Sequence, residues 1–239
     1  MGADRNHDAA CVVVLAGGRG ARLGRLTDEI PKPLVEVGGQ PILWHVLACY
    51  KAAGVTRGVV AAGYRAEQIA QLFAADTTVE VVDTGVETNT GGRILRLADR
   101  LMEGSFCLTY GDGVSDLAIA ETMEFHVSHG RLATITAVHP PARFGRLSLD
   151  YDNVVGFAER SPLDTEWING GFMVFQREVM DFIAGDDSSL EHDVLPALAA
   201  AGELKAFRHK GFWQCMDTVA DVAFLNSLWK SQNPPWRTW

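Results

Sequence analysis

The stretch Cys11-Val-Val-Val-Leu-Ala16, followed by Gly17-Gly-Arg-Gly20, decides the fold of this chain. Its first half is apolar and β-branched, which predicts a strand buried on both faces, as in a parallel sheet. Its second half predicts a glycine-rich loop directly after that strand. Because glycine has no Cβ, the N–H groups of such a loop can closely approach an anion. The loop is therefore the first candidate for a binding site.

Beyond the loop, segments with helix and strand periodicity alternate along the chain. Pro41 near the start and Gly54 just past the end suit the first of the helices. Such alternation predicts βαβ crossovers and a mainly parallel sheet, and hence an α/β protein. We predict helices over 41–53, 66–74, 92–102 and 116–129, and strands over 55–62, 79–82, 106–109 and 132–138.

The pattern changes in the second half of the chain. The polar Tyr151-Asp152-Asn153 between two short apolar segments predicts an antiparallel hairpin of strands 146–150 and 154–158. We further predict a strand over 167–175, two helices within 177–201, a strand over 204–208 and a closing helix over 219–231.

The domain organisation follows from the absence of linkers and repeats in the sequence. We expect one domain over residues 11–239 with a C-terminal helical cap, preceded by a flexible segment of residues 1–10. The chain ends with Trp236 and Trp239, and large apolar groups rarely extend freely into water. We expect this tail either to pack back on the domain or to meet another subunit.

Composition and charge exclude several classes of protein. The 239 residues include 21 Lys plus Arg and 30 Asp plus Glu, a formal net charge of −9. Coating a nucleic acid needs a clustered basic surface, so we expect no nucleic acid partner. No apolar stretch reaches the roughly 18 residues of a membrane span, and the polar start lacks the apolar core of a signal peptide. We expect a cytoplasmic enzyme without membrane association.

The cysteines and histidines do not form a metal-binding pattern. The four cysteines are far apart and contain no C-x-x-C pair, so we expect reduced, buried thiols. His126 and His129 can share a helical face, but no third ligand follows at a zinc spacing. We expect both to be ordinary polar histidines with hydrogen-bond partners.

The glycine-rich loop is locally basic in an acidic protein. The segment 17–32 holds three arginines and Lys32 against two acids. Prolines on both sides of Lys32 fix its backbone. A polyphosphate suits glycines combined with cations, whereas a solvated turn, the structural alternative, explains neither the cations nor the prolines. Neither a dinucleotide fingerprint nor a Walker loop fits, because Leu23 stands at the third glycine position and Gly24 precedes Arg25.

Several motifs resemble those of the sugar-1-phosphate nucleotidylyltransferases. Gly17-Gly-Arg-Gly-Ala-Arg-Leu23 and Pro31-Lys-Pro-Leu-Val-Glu-Val37 look like the signature of that family. Within it, Thr109-Tyr-Gly-Asp-Gly-Val-Ser-Asp-Leu117, Ile168-Asn-Gly-Gly-Phe172 and Gly211-Phe-Trp-Gln-Cys-Met-Asp-Thr218 resemble the glucose-1-phosphate cytidylyltransferases. The resemblance runs from about Cys11 to the last residue. It implies a Rossmann-like nucleotidyltransferase fold, a homo-oligomer, and Mg²⁺-dependent transfer from CTP to glucose 1-phosphate, giving CDP-glucose and pyrophosphate.

The resemblance also implies which residues act. Arg22 and Lys32 would be the catalytic cations that contact the nucleotide phosphates, and Asp112 and Asp217 would hold Mg²⁺, since carboxylate oxygens suit that ion and argue against zinc. The implied nucleotide-binding residues are Leu15, Ala16, Gly17, Gly18, Gly20, Thr90, Gly91, Gly92, Arg93 and Gly111. The implied sugar-phosphate-binding residues are Gly145, Glu159, Arg160 and Asn169.

Five of these positions also have a structural alternative. Asp112 could be a turn residue between glycines, and Asp217 a helix N-terminal residue that bonds backbone N–H groups. Arg93 could be an ordinary helix residue, Asn169 a strand-to-turn residue, and Glu159 an exposed strand-end carboxylate.

The chemistry needs no general base, because the second pKa of a phosphate monoester is near 6 and the attacking oxygen is already mostly ionised. Three features depart from the family pattern: Ala21 replaces a common Thr, Arg160 replaces the usual Lys, and segment 74–80 is short. They leave open another base, and an acceptor such as a cyclitol, heptose or other modified sugar phosphate. A non-catalytic sensor of nucleotide sugars is a further alternative, although a sensor need not keep both metal carboxylates.

Overall fold

A computed structural model describes residues 11–24, 26–101, 104–141, 145–158 and 166–239. The predicted flexible segment of residues 1–10 lies outside this part. In chain order, the strands are β1 (Val12–Ala16), β2 (Glu36–Val37), β3 (Gln40–Pro41), β4 (Gly58–Ala62), β5 (Val79–Asp83), β6 (Ser105–Tyr110), β7 (Gly113–Ser115), β8 (Ala133–Val138), β9 (Arg146–Asp150), β10 (Asn153–Ala158), β11 (Ile168–Gln176), β12 (Leu204–Arg208) and β13 (Trp213–Cys215). The α-helices are α1 (Leu26–Glu29), α2 (Ile42–Ala52), α3 (Ala66–Leu72), α4 (Thr90–Arg96), α5 (Ile119–His129), α6 (Leu195–Ala200) and α7 (Val219–Lys230).

A seven-stranded sheet in the order β12-β8-β11-β6-β1-β4-β5 forms the centre of the molecule. Strand β11 is antiparallel to both of its neighbours, and the other pairs are parallel. The predicted mainly parallel sheet and the antiparallel hairpin, formed by β9 and β10, are thus confirmed. The single domain over residues 11–239 stays a prediction.

The alternation of side chains along β1 places apolar groups on both faces of the sheet. Val12 and Val14 belong to one core cluster, which includes the apolar face of α2. Val13 and Leu15 belong to a second cluster on the opposite face, together with Ile94 of α4. Every residue of β1 is buried, as the sequence predicted. The centre of the sheet is therefore fixed by apolar burial on two sides.

Several predicted boundaries differ from the structure. Strand β4 begins at Gly58 rather than residue 55, because Val55 still closes the end of α2 by donating to the carbonyl of Tyr50 (3.0 Å). Helix α4 begins two residues early, because the side chain of Asn89 caps the N–H of Thr90 (2.8 Å). The two helices predicted within 177–201 are a 3₁₀ turn (Arg177–Phe182) and a π-turn (Leu190–Val194) that continues into α6.

The cysteines and the paired histidines behave largely as the sequence predicted. The structure shows no disulfide between the four cysteines, and all but the partly exposed Cys215 are buried. His126 and His129 both contact the hydroxyl of Thr134, at 2.9 Å and 2.7 Å, and His126 also contacts Gln176. Among the described residues, no helix has the length and apolar character needed to cross a membrane.

The C-terminal tail packs back on the domain. Trp236 is fully buried and lies against Phe212, Trp229 and the buried ring of His45. Trp239 contacts Trp44 at its edge and stays 40% exposed. The structure therefore shows the tail packed on the domain, which was the first of the two expected alternatives.

Candidate active site

A cleft of about 370 Å³ opens at the carboxyl ends of β1 and β6. This is the edge at which open α/β sheets generally bind ligands. The glycine-rich loop forms one wall of the cleft, and the segment between β5 and α4 forms another. Eight of the predicted nucleotide-binding residues line it, namely Leu15, Ala16, Gly17, Gly18, Gly20, Thr90, Arg93 and Gly111.

The glycine-rich loop is fixed by its own contacts and packs on Lys32. Gly20 has a left-handed backbone (φ 65°), which favours glycine over other residues. A Cβ at this position would lie 2.8 Å from the Cβ of Lys32, so the loop can approach the lysine stem only because residue 20 has no side chain. The hydroxyl of Thr27 donates to the carbonyls of Gly20 (3.2 Å) and Gly24 (3.1 Å).

Two cations and two carboxylates meet beside the glycine-rich loop, and three of the four, Arg22, Lys32 and Asp112, line the cleft. We call these three residues and Asp217 the charge cluster. The Nζ of Lys32 lies 2.5 Å from Oδ2 of Asp112 and 2.7 Å from Oδ1 of Asp217. The Nη1 of Arg22 lies 2.9 Å from Oδ2 of Asp217. The Lys32 side chain is only 12% exposed, whereas that of Arg22 is 75% exposed. The formal charges of the cluster sum to zero.

The charge cluster shifts the pKa values of its buried members. Burial by itself would lower the pKa of Lys32, but the adjacent carboxylates of Asp112 and Asp217 outweigh it and raise this pKa. Burial would raise the pKa of Asp217, but hydrogen bonding and charge from Lys32, followed by the charge of Arg22, lower it. Both pKa shifts favour the ionised forms, so Lys32 and Asp217 stay charged at neutral pH.

A short two-stranded ribbon brings the two aspartates together across about a hundred residues of sequence. Strands β7 and β13 pair antiparallel, and the N–H of Met216 donates to the carbonyl of Asp112 (2.9 Å). The sequence analysis did not predict this ribbon. The cap of α7 is Thr218, which forms a capping box with Asp221. The carboxylate of Asp217 is therefore directed to the cations, and its alternative role as a helix cap is not what the structure shows.

The residues present fit a divalent cation that is shared with a ligand. Within the described part of the chain, no three His, Cys, Asp or Glu side chains converge into a complete metal cage. Asp112 and Asp217 supply carboxylate oxygens only. Mg²⁺ is typically held by one or two carboxylates together with substrate phosphates and water. The pair therefore suits a metal that completes its shell with phosphate oxygens.

Comparison with known proteins identifies the family. The chain matches the family model described as Nucleotidyl transferase over residues 11–233. The chain belongs to this family. It is 42% identical to the glucose-1-phosphate cytidylyltransferase of Salmonella typhi, across 95% of this chain and 98% of that protein. It is 34% identical to the mannose-1-phosphate guanylyltransferase of Mycobacterium tuberculosis, across 87% of this chain and 61% of that protein.

A solved structure supports the same assignment. The crystal structure of HddC from Yersinia pseudotuberculosis complexed with GMP-PN matches with a TM-score of 0.73 and 25% identity, across 92% of this chain and 99% of that one. The Rossmann-like nucleotidyltransferase fold and the assignment as a sugar-1-phosphate nucleotidyltransferase, both inferred from the sequence motifs, are thereby confirmed.

In this nucleotidyl transferase, Arg93 holds two loops of the cleft together. Its guanidinium is buried and donates to the carbonyls of Ala62 (3.0 Å), Gly85 (2.7 Å), Val86 (3.2 Å) and Gly17 (3.3 Å). These bonds tie the end of β4 and the segment after β5 to the first residue of the glycine-rich loop. Arg93 lines the cleft, and both of its Nη groups already have partners in the protein. It therefore does more than an ordinary helix residue, and its contact with the nucleotide stays a prediction.

Gly91 and Gly92 do not line the cleft of the nucleotidyl transferase. The N–H groups of both donate to the carbonyl of Ser188, at 2.9 Å and 3.2 Å. A Cβ on Gly92 would lie 2.3 Å from the carbonyl oxygen of Asp186, so close packing requires glycine there. Both glycines therefore pack closely against the neighbouring loop, and their role in nucleotide binding stays a prediction.

Glu191, which was not predicted from the sequence, joins two residues that line the cleft, Tyr110 and Thr90. Its carboxylate accepts hydrogen bonds from the hydroxyls of Tyr110, Thr90 (2.7 Å) and Ser189 (3.1 Å). Burial would raise the pKa of Glu191, but these bonds, led by that of Tyr110, lower it. Glu191 comes from the π-turn before α6, and no sequence signal links that segment to Tyr110. It connects the wall that carries Thr90 to the strand that leads to Asp112.

The structure describes two of the four predicted sugar-phosphate-binding residues, Gly145 and Asn169. Glu159 and Arg160 lie outside the described residues. The Oδ1 of Asn169 accepts from the N–H of Gly171 (2.9 Å) within β11, where the register of the strand shifts, and the sugar-facing role of Asn169 stays a prediction. Gly171 packs on the ring of Tyr110, since a Cβ there would lie 2.6 Å from the ring. The Asn169 segment thus adjoins the cleft through Tyr110, whereas Gly145 packs on the ring of Phe157 in the hairpin.

Proposed function

We propose that this nucleotidyl transferase uses Mg²⁺, CTP and glucose 1-phosphate to make CDP-glucose and pyrophosphate. The charge cluster carries the proposal, because it concentrates two cations and two carboxylates at a glycine-lined cleft in a protein of net charge −9. The choice of base and sugar is supported by the 42% identity to a glucose-1-phosphate cytidylyltransferase over nearly the whole chain.

In the proposed reaction, a phosphate oxygen of glucose 1-phosphate attacks the α-phosphorus of CTP. A new phosphorus–oxygen bond forms there, the bond to the bridging oxygen of the β-phosphate breaks, and the electron pair leaves with pyrophosphate. Lys32 and Arg22 would transfer from their carboxylate partners to the phosphates and stabilise the charge that develops on them. Asp112 and Asp217 would hold Mg²⁺, which when bound supplies further positive charge to the triphosphate.

The remaining task of the protein is to orient two polyanions. The bonds of Arg93 and Glu191 within the protein hold the cleft walls in place before the substrates arrive. Such preorganisation is what makes in-line attack efficient. Asn169, Gly145, Glu159 and Arg160 stay proposed as the acceptor side of the site.

The test is a measurement of pyrophosphate release by purified protein with Mg²⁺, glucose 1-phosphate and each of the four ribonucleoside triphosphates and dTTP in turn. We expect release with CTP that depends on both substrates, and none after the substitution Asp217→Asn. Release with UTP, dTTP or GTP but none with CTP would contradict the proposed base. Release with CTP only when another sugar phosphate replaces glucose 1-phosphate would contradict the proposed acceptor.

A second candidate is the same reaction with a guanine nucleotide and another sugar phosphate. It is favoured by the likeness to HddC complexed with GMP-PN and to a mannose-1-phosphate guanylyltransferase. Ala21 and Arg160 depart from the family pattern and motivate the change of sugar phosphate. A panel of mannose, heptose and cyclitol phosphates, each with GTP and with CTP, separates the two candidates.

We also propose a homo-oligomer that forms through the β9–β10 hairpin. Large apolar side chains of this hairpin are exposed, among them Leu149 (61%), Val155 (64%) and Phe157 (68%). An isolated two-stranded hairpin is marginally stable in water, so an apolar one favours a partner. Sedimentation of the double variant Leu149→Ser/Phe157→Ser should show a smaller species than the wild type. The matched change Phe224→Ser on α7 should leave the assembly unchanged. The cytoplasmic location stays a prediction from the sequence.

A further inference from the structure

We propose that Lys32 is a built-in counter-ion that keeps divalent metal away from Asp112 and Asp217 until a nucleotide draws its ammonium group away. The proposal deepens the proposed function and rests on it, because it takes these two carboxylates to be the metal site. It concerns the order of events at the site: metal alone binds weakly, and metal with nucleotide binds well.

The first support is the position of the ammonium group. One nitrogen lies within hydrogen-bond distance of one oxygen of each aspartate, at 2.5 Å and 2.7 Å. A Mg²⁺ ion that joined the same two oxygens would need them at about 2.1 Å and would require the same space. The ammonium and a bridging metal therefore exclude one another. For metal to enter, the end of the Lys32 side chain has to move.

The second support is the way in which Lys32 is mounted. Pro31 and Pro33 hold its backbone, and the close approach of Gly20 limits the Cβ end of its side chain. Only the outer part of the side chain is free to reorient. A metal that displaced the ammonium group would separate it from both carboxylate partners. Because the Lys32 side chain is only 12% exposed, the ammonium would gain little water in exchange. An unpaired buried charge is costly, so displacement by metal alone is unfavourable.

The third support is the charge balance of the cluster. With Lys32, Arg22 and two carboxylates the formal charges cancel, and an added divalent cation would leave an excess of two positive charges in a partly buried site. A triphosphate removes this excess and gives Lys32 and Arg22 new partners. Metal and nucleotide should then strengthen each other's binding, and such coupling is reciprocal, commonly about 5- to 150-fold.

The two cations should differ in how strongly they exclude metal. The Arg22 side chain is 75% exposed and contacts only Asp217, whereas the Lys32 side chain is 12% exposed and contacts both carboxylates. Exposed ion pairs are weakened by solvent and salt. Removing the charge of Lys32 should therefore raise metal affinity much more than removing the charge of Arg22.

The experiment is a titration of nucleotide-free protein with Mn²⁺, followed by the electron paramagnetic resonance of the free ion. Mn²⁺ is a suitable probe because it shares the preference of Mg²⁺ for oxygen ligands. We expect Lys32→Met to bind Mn²⁺ at least about 10-fold more tightly than the wild type, because the ammonium group that competes with the metal is removed. Arg22→Met should give a smaller gain, and the control Lys51→Met, on a different face of the domain, should give none.

Further variants keep the result interpretable. Lys32→Gln should behave like Lys32→Met, and the melting temperature of both should rise more with Mn²⁺ than that of the wild type. In the double variant Lys32→Met/Asp217→Asn, the tight binding should disappear. If neither Lys32 variant binds Mn²⁺ more tightly than Lys51→Met, the proposed role of Lys32 is overturned.

A final comparison separates this inference from the proposed function. Mn²⁺ binding is measured in the presence of α,β-methylene-CTP for the wild type and for Asp217→Asn. If Asp217→Asn weakens binding there while Lys32→Met gives no gain without nucleotide, the metal site stands and only the role of Lys32 fails. If Asp217→Asn changes Mn²⁺ binding neither in the presence of nucleotide nor in the Lys32→Met background, the metal site of the proposed function is itself wrong.

Discussion

At Lys32, burial and the neighbouring carboxylates shift the pKa of the ammonium group in opposite directions. Burial alone would lower its pKa, but two carboxylates raise it, so the residue is a permanent cation at neutral pH. A cation held in a partly dry cleft stabilises charge far better than one in water. Lys32 balances the two aspartates of the charge cluster, and in the proposed reaction it would stabilise the departing pyrophosphate.

Replacing Lys32 by Ala should lower turnover by about 10² or more, because the preorganised charge that acts on the transition state is lost. The far-ultraviolet circular dichroism should stay that of the wild type. Steady-state pyrophosphate release with saturating substrates is the measurement. Lys51→Ala removes an equal charge elsewhere and should leave turnover unchanged. Equal turnover in Lys32→Ala and the wild type would show that the catalytic charge lies elsewhere.

His126 makes the stability of the fold depend on pH. Its ring is fully buried, and burial, followed by the charge of His129, lowers its pKa to about 4. In the unfolded chain a histidine titrates near 6.5. Between these values the unfolded chain binds a proton that the folded chain does not, so the free energy of unfolding falls as the pH falls through this window. The loss should reach roughly 3 kcal/mol at the acid end.

Urea unfolding followed by tryptophan fluorescence at about pH 7 and about pH 4.5 measures this dependence. In His126→Gln, the difference in unfolding free energy between the two conditions should shrink by about 2 kcal/mol. His192→Gln, at an exposed histidine, should keep the wild-type difference. A His126→Gln protein with the full wild-type difference would contradict the role given to this residue.

At the scale of elements, the sequence predicts what local pattern and burial determine. The apolar run of β1 was sufficient to predict that strand, and the turn residues between β9 and β10 were sufficient to predict the hairpin. The β7–β13 ribbon was not predictable, because each strand has three residues and the partners are about a hundred residues apart. The bonds of Arg93 and the position of Glu191 were not predictable for the same reason, since their partners come from distant segments. The family signature supplied Asp112 and Asp217, but only the ribbon explains why they meet.

The start of α4 offers a test of packing between elements. In Gly92→Ala the new methyl group would collide with the backbone of Asp186, which cannot move aside as a flexible side chain can. We expect a loss of about 1–3 kcal/mol in the free energy of unfolding, although alanine itself favours helix. Gly185→Ala, where a Cβ meets open space, is the matched control for urea unfolding. Equal stability of the two variants would show that the loop at Asp186 moves aside without a cost in stability, and would contradict this prediction.

At the scale of the whole molecule, the C-terminal tail closes the core on one side of the sheet. Trp236 belongs to the same core cluster as α2 and α7. Its indole N–H points to His45, whose pKa is lowered chiefly by burial. The tail therefore contributes to the stability of the domain.

Trp236→Ala should lower the free energy of unfolding by about 3–5 kcal/mol, as expected for removing a large buried aromatic side chain. Trp239→Ala removes the same side chain at a position that is 40% exposed and should cost clearly less. Urea unfolding monitored by circular dichroism compares the two without relying on tryptophan emission. A larger loss for Trp239→Ala than for Trp236→Ala would contradict the packing of the tail.

The most direct test of the charge cluster as a triphosphate site is a crystal structure of the protein with α,β-methylene-CTP and Mg²⁺. The triphosphate should lie in the cleft beside the glycine-rich loop, with Lys32 and Arg22 on phosphate oxygens and a cation on Asp112 and Asp217. Nucleotide density elsewhere on the protein, with Lys32 still bonded to both aspartates, would contradict the assignment.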